Sequence, residues 1–322
     1  MPDNHHFYQG FMSALRAIIP KRSLLANTIT DLLAIDKDAV YRRLRGDVNF
    51  SFAEMAILAK KLGISLDSLV GIESELNKPA QIVLTNSVNP TEVDYRLFND
   101  YINLLKFIKD EPDTLLLESS NAVPLSIYFD YENLTRLYMF AWNLASNFAY
   151  ALPYHEIIIP ERMRVIQKNY SYYSRHIKTT QYVWDRMIFQ RMVDNLKFSF
   201  NLNVLQEEDI RQIKNELMEM LDDLEKLAGT GKFEDTGNKV SIYISDLLIE
   251  TNHNCIKSNT MYLTQHKTFL LNAISSLDEV VFNEVSHWIQ SLQRKSMLIS
   301  FSGEKIRADY FTAQRKIINT LI

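Results

Sequence analysis

The chain has 322 residues, 47% of them hydrophobic, and a formal net charge of −4. That length and apolar content exclude a disordered chain and suit two globular domains with a substantial core. A single cysteine, Cys255, excludes an internal disulfide framework, and no apolar run approaches the roughly 18 residues of a membrane span, so the expectation is a soluble, cytoplasmic protein without a membrane partner.

In chain order, His5–Ile19 reads as a first helix with Phe7, Phe11, Leu15 and Ile18 inward. Ser23 is placed to cap a helix over Leu24–Leu33, whose apolar face is Leu25, Ile29, Leu32 and Leu33. After the Ala34–Ile35 connection, Asp36 is placed to cap Lys37–Arg45, and Gly46 stops it. Val40 and Leu44, four residues apart, point back at the preceding helix. Asp38, Tyr41, Arg42 and Arg45 then share the opposite face. Arginine on an exposed face suits a DNA groove, because it bonds guanine or phosphate in pairs of hydrogen bonds. The plainer reading is a solvated helix surface. Ser51-x-x-Glu54 is a capping box that opens a helix with Met55, Ile57, Leu58 and Leu62 as its apolar positions. Gly63 ends that helix, and Ile64–Leu69 reads as a short closing one.

This run resembles the λ-repressor-like (XRE family) helix-turn-helix. The matching residues are Ile29, Leu33, Ile35, Val40, Gly46 and the tail LAKKLGISLDSLVG, and the likeness covers residues 7–71. The resemblance implies a five-helix DNA-binding domain. It places Lys37, Asp38, Tyr41 and Arg42 where base edges are read, and Arg45 on phosphate. Arg22, Ser23, Asn27 and Arg43 are the other expected backbone contacts. The chain departs from the family pattern at Ala26, which replaces a polar contact residue, and at Thr30 and Ala34, where Ala and Gly are usual. Arg43 stands in an apolar position and Leu44 in an acidic one, which implies a reading helix rolled slightly about its axis.

Charge divides unevenly. Residues 1–71 hold nine basic and seven acidic side chains, against 26 and 32 in the remainder. Four of the nine bases lie within Lys37–Arg45. So weak a basic excess argues that two modules share one DNA site in a homodimer.

Residues 72–90 carry Pro79 and Pro90 and read as a linker or extended arm. Thr91-x-x-Asp94 caps a helix through Lys109 with Val93, Leu97, Tyr101, Leu104 and Ile108 inward. Residues 114–200 read as mostly helical, with aromatics that suit core packing or the lining of an effector pocket. The segment 170–176 reads as a recognition surface or a helix end. In residues 206–228, Ile210, Ile213, Leu217, Met220, Leu224 and Leu227 form an a/d seam, for a coiled-coil dimer or for a bundle within the chain. Beyond it the period changes. Lys239–Glu250 and one or two segments of Ile256–Ile274 read as strands, Leu277–Arg294 as a helix, Ser296–Phe301 as a short strand, and Gly303–Leu321 as a last helix.

Catalytic motifs fail on inspection. Gly229-Thr-Gly-Lys232 lacks the rest of a phosphate loop. Ser302-x-x-Lys305 lacks its companion motifs, and Ser302 serves better as a helix cap. His253, Cys255 and His266 fit no metal spacing, His5-His6 reads as an exposed pair, and Asn133-Leu-Thr135 has only the form of a glycosylation site. The expected fold is mainly α: a five-helix domain over 1–71, a linker over 72–90, and a larger helical domain over 91–322 with a small antiparallel sheet near its end. The expected function is a transcriptional regulator on double-stranded DNA, a homodimer open to an unknown small-molecule or protein effector. No catalytic site, metal or cofactor is expected. The alternative is the same helix-turn-helix serving a protein partner.

Overall fold

The computed structural model describes residues 4–19, 21–62, 64, 66, 78, 80–86, 89–146, 152–269, 272–301 and 303–322. The chain divides into two compact units, Met1–Ala80 and Gln81–Ile322.

The first unit holds helices α1 (Asn4–Ile18), α2 (Arg22–Leu33), α3 (Lys37–Arg45) and α4 (Phe52–Leu62). The expected closing helix lies mostly outside the described residues, although Ile64 and Leu66 pack on this unit's core. That core is Phe11, Met12, Leu15, Leu25, Ala26, Ile29, Val40, Leu44, Phe50, Met55, Leu58 and Ala59. Two inward assignments need correcting. Ile18 is 46% exposed, and Met12 takes the inner position instead. Ile57 is likewise exposed, because the buried stripe of α4 runs through Met55, Leu58 and Ala59.

The second unit overturns the expectation of a mainly α chain with a small terminal sheet. Its centre is one eight-stranded mixed sheet. The strands are β1 (Gln81–Val83), β2 (Leu115–Ser120), β3 (Thr179–Asp185), β4 (Lys239–Ser245), β5 (Asn252–Lys257), β6 (Tyr262–Phe269), β7 (Asn272–Ser276) and β8 (Met297–Leu298). Their spatial order is β1-β7-β6-β5-β2-β3-β4-β8. β2, β3 and β4 run parallel, and every other pairing is antiparallel. Parallel neighbours need crossovers, and helices supply them. α5 (Glu92–Ile108) precedes β2. Between β2 and β3 lie α6 (Leu125–Tyr128), α7 (Glu132–Ser146) and α8 (Glu161–Ser174); between β3 and β4 lie α9 (Ile188–Asn201) and α10 (Glu207–Thr230). After β7 come α11 (Glu279–Gln293) and, past β8, α12 (Glu304–Ile318). Gln81–Val83, within the expected linker, is thus an edge strand.

Successive strand residues feed opposite faces. Leu116, Tyr182, Trp184, Val240, Ile242 and Ile244 enter the large core shared with α5–α10 and α12. Leu117, Val183 and Cys255 enter a smaller core under Phe282, Ile289 and Leu292 of α11. The sheet is therefore a middle layer covered on both sides, and its central strands are buried throughout.

The capping box at Thr91 forms: Asp94 N–H donates to Thr91 Oγ1 at 3.4 Å, and Thr91 N–H to Asp94 Oδ2 at 2.7 Å. The inner face of α5 differs from the expected one. It is centred on Tyr95, Phe98, Ile102, Leu105 and the expected Ile108, with the expected Tyr101 and Leu104 partly buried against the same core, while Val93 faces solvent. The aromatics pack on one another, with Tyr101 stacked on Tyr170 at 5.8 Å and Phe129 edge-on to Tyr170 at 5.9 Å. The segment 170–176 is the end of α8, where the His176 Nδ1 lies 2.7 Å from the Tyr172 carbonyl.

The a/d seam of α10 is used inside the chain. Ile210, Ile213, Leu217, Met220 and Leu224 are buried in the large core, with α12 and α7 packed along the helix. Polar contacts close the seam. Arg315 of α12 donates to Asp222 at 2.6 Å and Glu225 at 2.7 Å. Glu216 accepts from Asn133 Nδ2 at 2.8 Å and the Leu134 N–H at 2.9 Å, capping the start of α7. The seam is closed to a second copy.

Leu217→Ala should therefore lower the stability of this unit by about 2–5 kcal/mol and leave the mass of the native chain unchanged. Denaturant unfolding and light scattering read the two effects separately.

Candidate nucleic-acid interface

α3 is set by its ends. Asp36 occupies the N-cap position without a side-chain cap bond, and Gly46 ends the helix with φ 87°. The Asp47 N–H donates to the Arg42 carbonyl at 2.9 Å, satisfying one of the carbonyls a helix end leaves open. Ala34, between α2 and α3, is left-handed at φ 51° and ψ 44°. An alanine there carries a steric penalty that glycine avoids. α2 starts at Arg22 with Lys21 at its N-cap, so Ser23 lies inside the first turn and is not the expected cap.

The roll of α3 is fixed from two sides. Val40 and Leu44 insert into the core. On the next face the Arg43 guanidinium meets Glu54 of α4 through both carboxylate oxygens, Nε–Oε2 at 3.2 Å and Nη2–Oε1 at 2.8 Å. Arg43 Nη1 also donates to the Ala39 carbonyl at 3.2 Å, and the guanidinium lies 5.9 Å from the Phe50 ring centroid. Glu54 at the same time accepts from the Ser51 N–H at 2.8 Å, while its own N–H donates to Ser51 Oγ at 3.2 Å. The expected capping box is present and doubles as the anchor of Arg43. Burial alone would raise the Glu54 carboxyl, but the bonds from Arg43 and Ser51 outweigh it and hold the group below its ordinary value. From α1, Arg16 donates to the Leu44 carbonyl at 3.4 Å.

This geometry withdraws Arg43 from the expected backbone contacts, because its donors are already engaged. Lys37, Asp38 and Arg42 are exposed and have no side-chain partner among the described residues. Tyr41 is partly buried against the core, with the rest of its ring outward. Arg45 pairs with Asp47 at 2.8 Å, but both side chains are half-exposed, and such pairs are weak enough to yield to a phosphate. On α2, Arg22, Ser23 and Asn27 are exposed. Ala26 is fully buried, so that position is part of the core and not a contact with a residue missing. The outward set is Lys37, Asp38, Tyr41, Arg42 and Arg45, flanked by Arg22, Ser23 and Asn27. The Arg43–Glu54 pair was readable only as two separate signals, a misplaced arginine and a capping box.

Elsewhere, the Gly229–Lys232 stretch has a structural role. Gly231 of the Gly229–Lys232 stretch is the left-handed end of α10, at φ 62°, and the Phe301 ring packs where a Cβ would stand. Ser302 lies outside the described residues, and Gly303 is the N-cap of α12. Among the described residues, no group of three or more His, Cys, Asp or Glu is gathered for a metal. No described helix is long and apolar enough to cross a membrane.

Residues 13–93 match the BetR domain, a family of small helical, DNA-binding-like domains. The match starts within α1, takes in α2–α4 and β1, and ends at the start of α5. The match covers the N-terminal quarter of the chain and does not extend to the finer λ-repressor-like assignment. Comparison with curated proteins and with solved structures returns no match.

Two outcomes are expected. Ala34→Gly should stabilise the first unit by about 1 kcal/mol in thermal or denaturant unfolding. Glu54→Gln should destabilise it by about 1–3 kcal/mol near neutral pH. Because the folded carboxyl titrates low, its contribution is complete above the ordinary value of 4.5 and is lost as pH falls through the folded value. The wild-type advantage over Glu54→Gln should therefore shrink in acid.

Proposed function

We propose that this chain is a sequence-specific DNA-binding regulator of transcription that lays α3 in the major groove. The observation that carries the reading is the division of labour on α3. Val40, Leu44 and Arg43 hold the helix to its own unit, while Lys37, Asp38 and Arg42 are left exposed without partners among the described residues. An exposed arginine on a short helix, held in orientation by a buried face and an ion pair, suits the reading of guanine edges. Lys37 at the helix start joins Arg42 toward the base edges, and Arg45 at the helix end suits the phosphate backbone.

The regulator acts as a homodimer. One module carries a net charge of only +2, and a second module on the same DNA supplies the affinity that one lacks. The α10 seam is closed, so the dimer contact lies elsewhere in the second unit. That unit also takes the regulatory input.

The second reading, a protein-docking module, draws on exposed apolar side chains of the first unit, Phe52 at 73% exposure together with Leu24 and Ile57. Arginine substitution separates the two. Arg42→Ala should weaken binding to the preferred duplex by about 1–3 kcal/mol and relax the choice of one base pair. Arg45→Ala should weaken binding to all sequences alike and reduce the slope of log affinity against log salt by about 1. Fluorescence anisotropy across a salt series measures both. Unchanged binding in both variants would remove α3 from the DNA.

A further inference from the structure

The face of the sheet under α11 carries a row of side chains in register: Ser119 on β2, His253 on β5, His266 on β6 and Ile274 on β7. His253 and His266 stand directly opposite each other on antiparallel strands, and their Nδ1 atoms approach to 2.6 Å. At that distance one ring donates and the other accepts, so two nitrogens converge on a single proton. The rings meet edge to face, with centroids 4.8 Å apart and planes at 88°. Trp288 of α11 packs against His253 at 4.8 Å and is 45% exposed. Both histidines are partly buried.

We propose that His253 and His266 form a two-point site for a divalent late first-row transition ion, of the Zn²⁺ and Cu²⁺ class, held through the two Nδ1 atoms. Imidazole nitrogen suits these ions, whereas Mg²⁺ and Ca²⁺ take oxygen. A tetrahedral ion at about 2.0–2.1 Å from each nitrogen sets the two nitrogens roughly 3.3 Å apart, so the rings need part by only about 0.7 Å. The ion replaces the shared proton. The donor ring moves its hydrogen to Nε2, and both imidazoles remain neutral.

Water completes the coordination. Cys255, two residues along β5 on the same face, is fully buried, with its Sγ 4.0 Å from Thr264 Oγ1. Ser119, beside His253 in the register, has a buried Oγ without a hydrogen-bond partner among the described residues, and it is placed to orient a ring or a ligand water. The site does not depend on the DNA-reading proposal.

Cu²⁺ titration of the full chain, read by tryptophan fluorescence, tests the site. His5 and His6 are a second pair, so the titration uses a chain carrying His5→Gln and His6→Gln. Saturable quenching is expected, relieved only by a large excess of Zn²⁺, weakened about tenfold or more by His266→Gln, and largely lost with Trp288→Phe. Circular dichroism identifies the variants that fold, and His253→Gln serves if His266→Gln does not. Absence of saturable quenching in the parent chain, or quenching unchanged in a folded histidine variant, overturns the assignment.

Discussion

The ion pair between Arg43 and Glu54 decides which side of α3 meets the outside. Arg43 stands one position before the buried Leu44, on the flank of the helix, and α4 supplies a carboxylate at that flank. Glu54 is itself held by the Ser51 N–H, so a helix-capping carboxylate has a second use as an anchor. Without that anchor α3 would keep its two buried residues but would lose the contact that resists rolling about them. The side chains offered to a ligand follow from this setting. Arg42 faces out because Arg43 does not.

In the second unit the matching constraint is α10. Its apolar stripe lies in the large core, and its polar side chains reach both neighbours, Arg315 of α12 and the first turn of α7. A seam that looks suited to a second copy is a packing device between the crossover helices and the sheet. Any dimer contact must use another surface, which separates the oligomeric state from the most regular pattern in the sequence.

How much was legible depended on whether a local signal had one meaning. The helices of the first unit were readable because caps and stops punctuate them: Asp36, Gly46, Ser51 with Glu54, and an apolar pair at Val40 and Leu44. β4, the β6–β7 stretch and β8 were readable from the change of period, whereas β5 (Asn252–Lys257) lay mostly outside the expected strands. β2 and β3 were not, because Leu115–Ser120 and most of Thr179–Asp185 are buried on both faces, so LLLESS and TTQYVWD lack a sustained apolar–polar alternation. Missing β1, β2, β3 and most of β5 reduced a central mixed sheet to a small terminal one. The outward face of α3 followed from helical angles alone. The engagement of Arg43 did not, since it requires a carboxylate eleven residues away to lie beside α3 in space.

The central claim is that α3 reads DNA sequence in a two-fold arrangement. Selection of bound duplexes from a random pool by the full-length chain tests it most directly. The account predicts an enriched two-fold site whose half-sites are spaced by about 10 base pairs or a multiple of it. Recovery of no sequence preference at low salt, by a chain that is folded and binds duplex DNA only through charge, would contradict it.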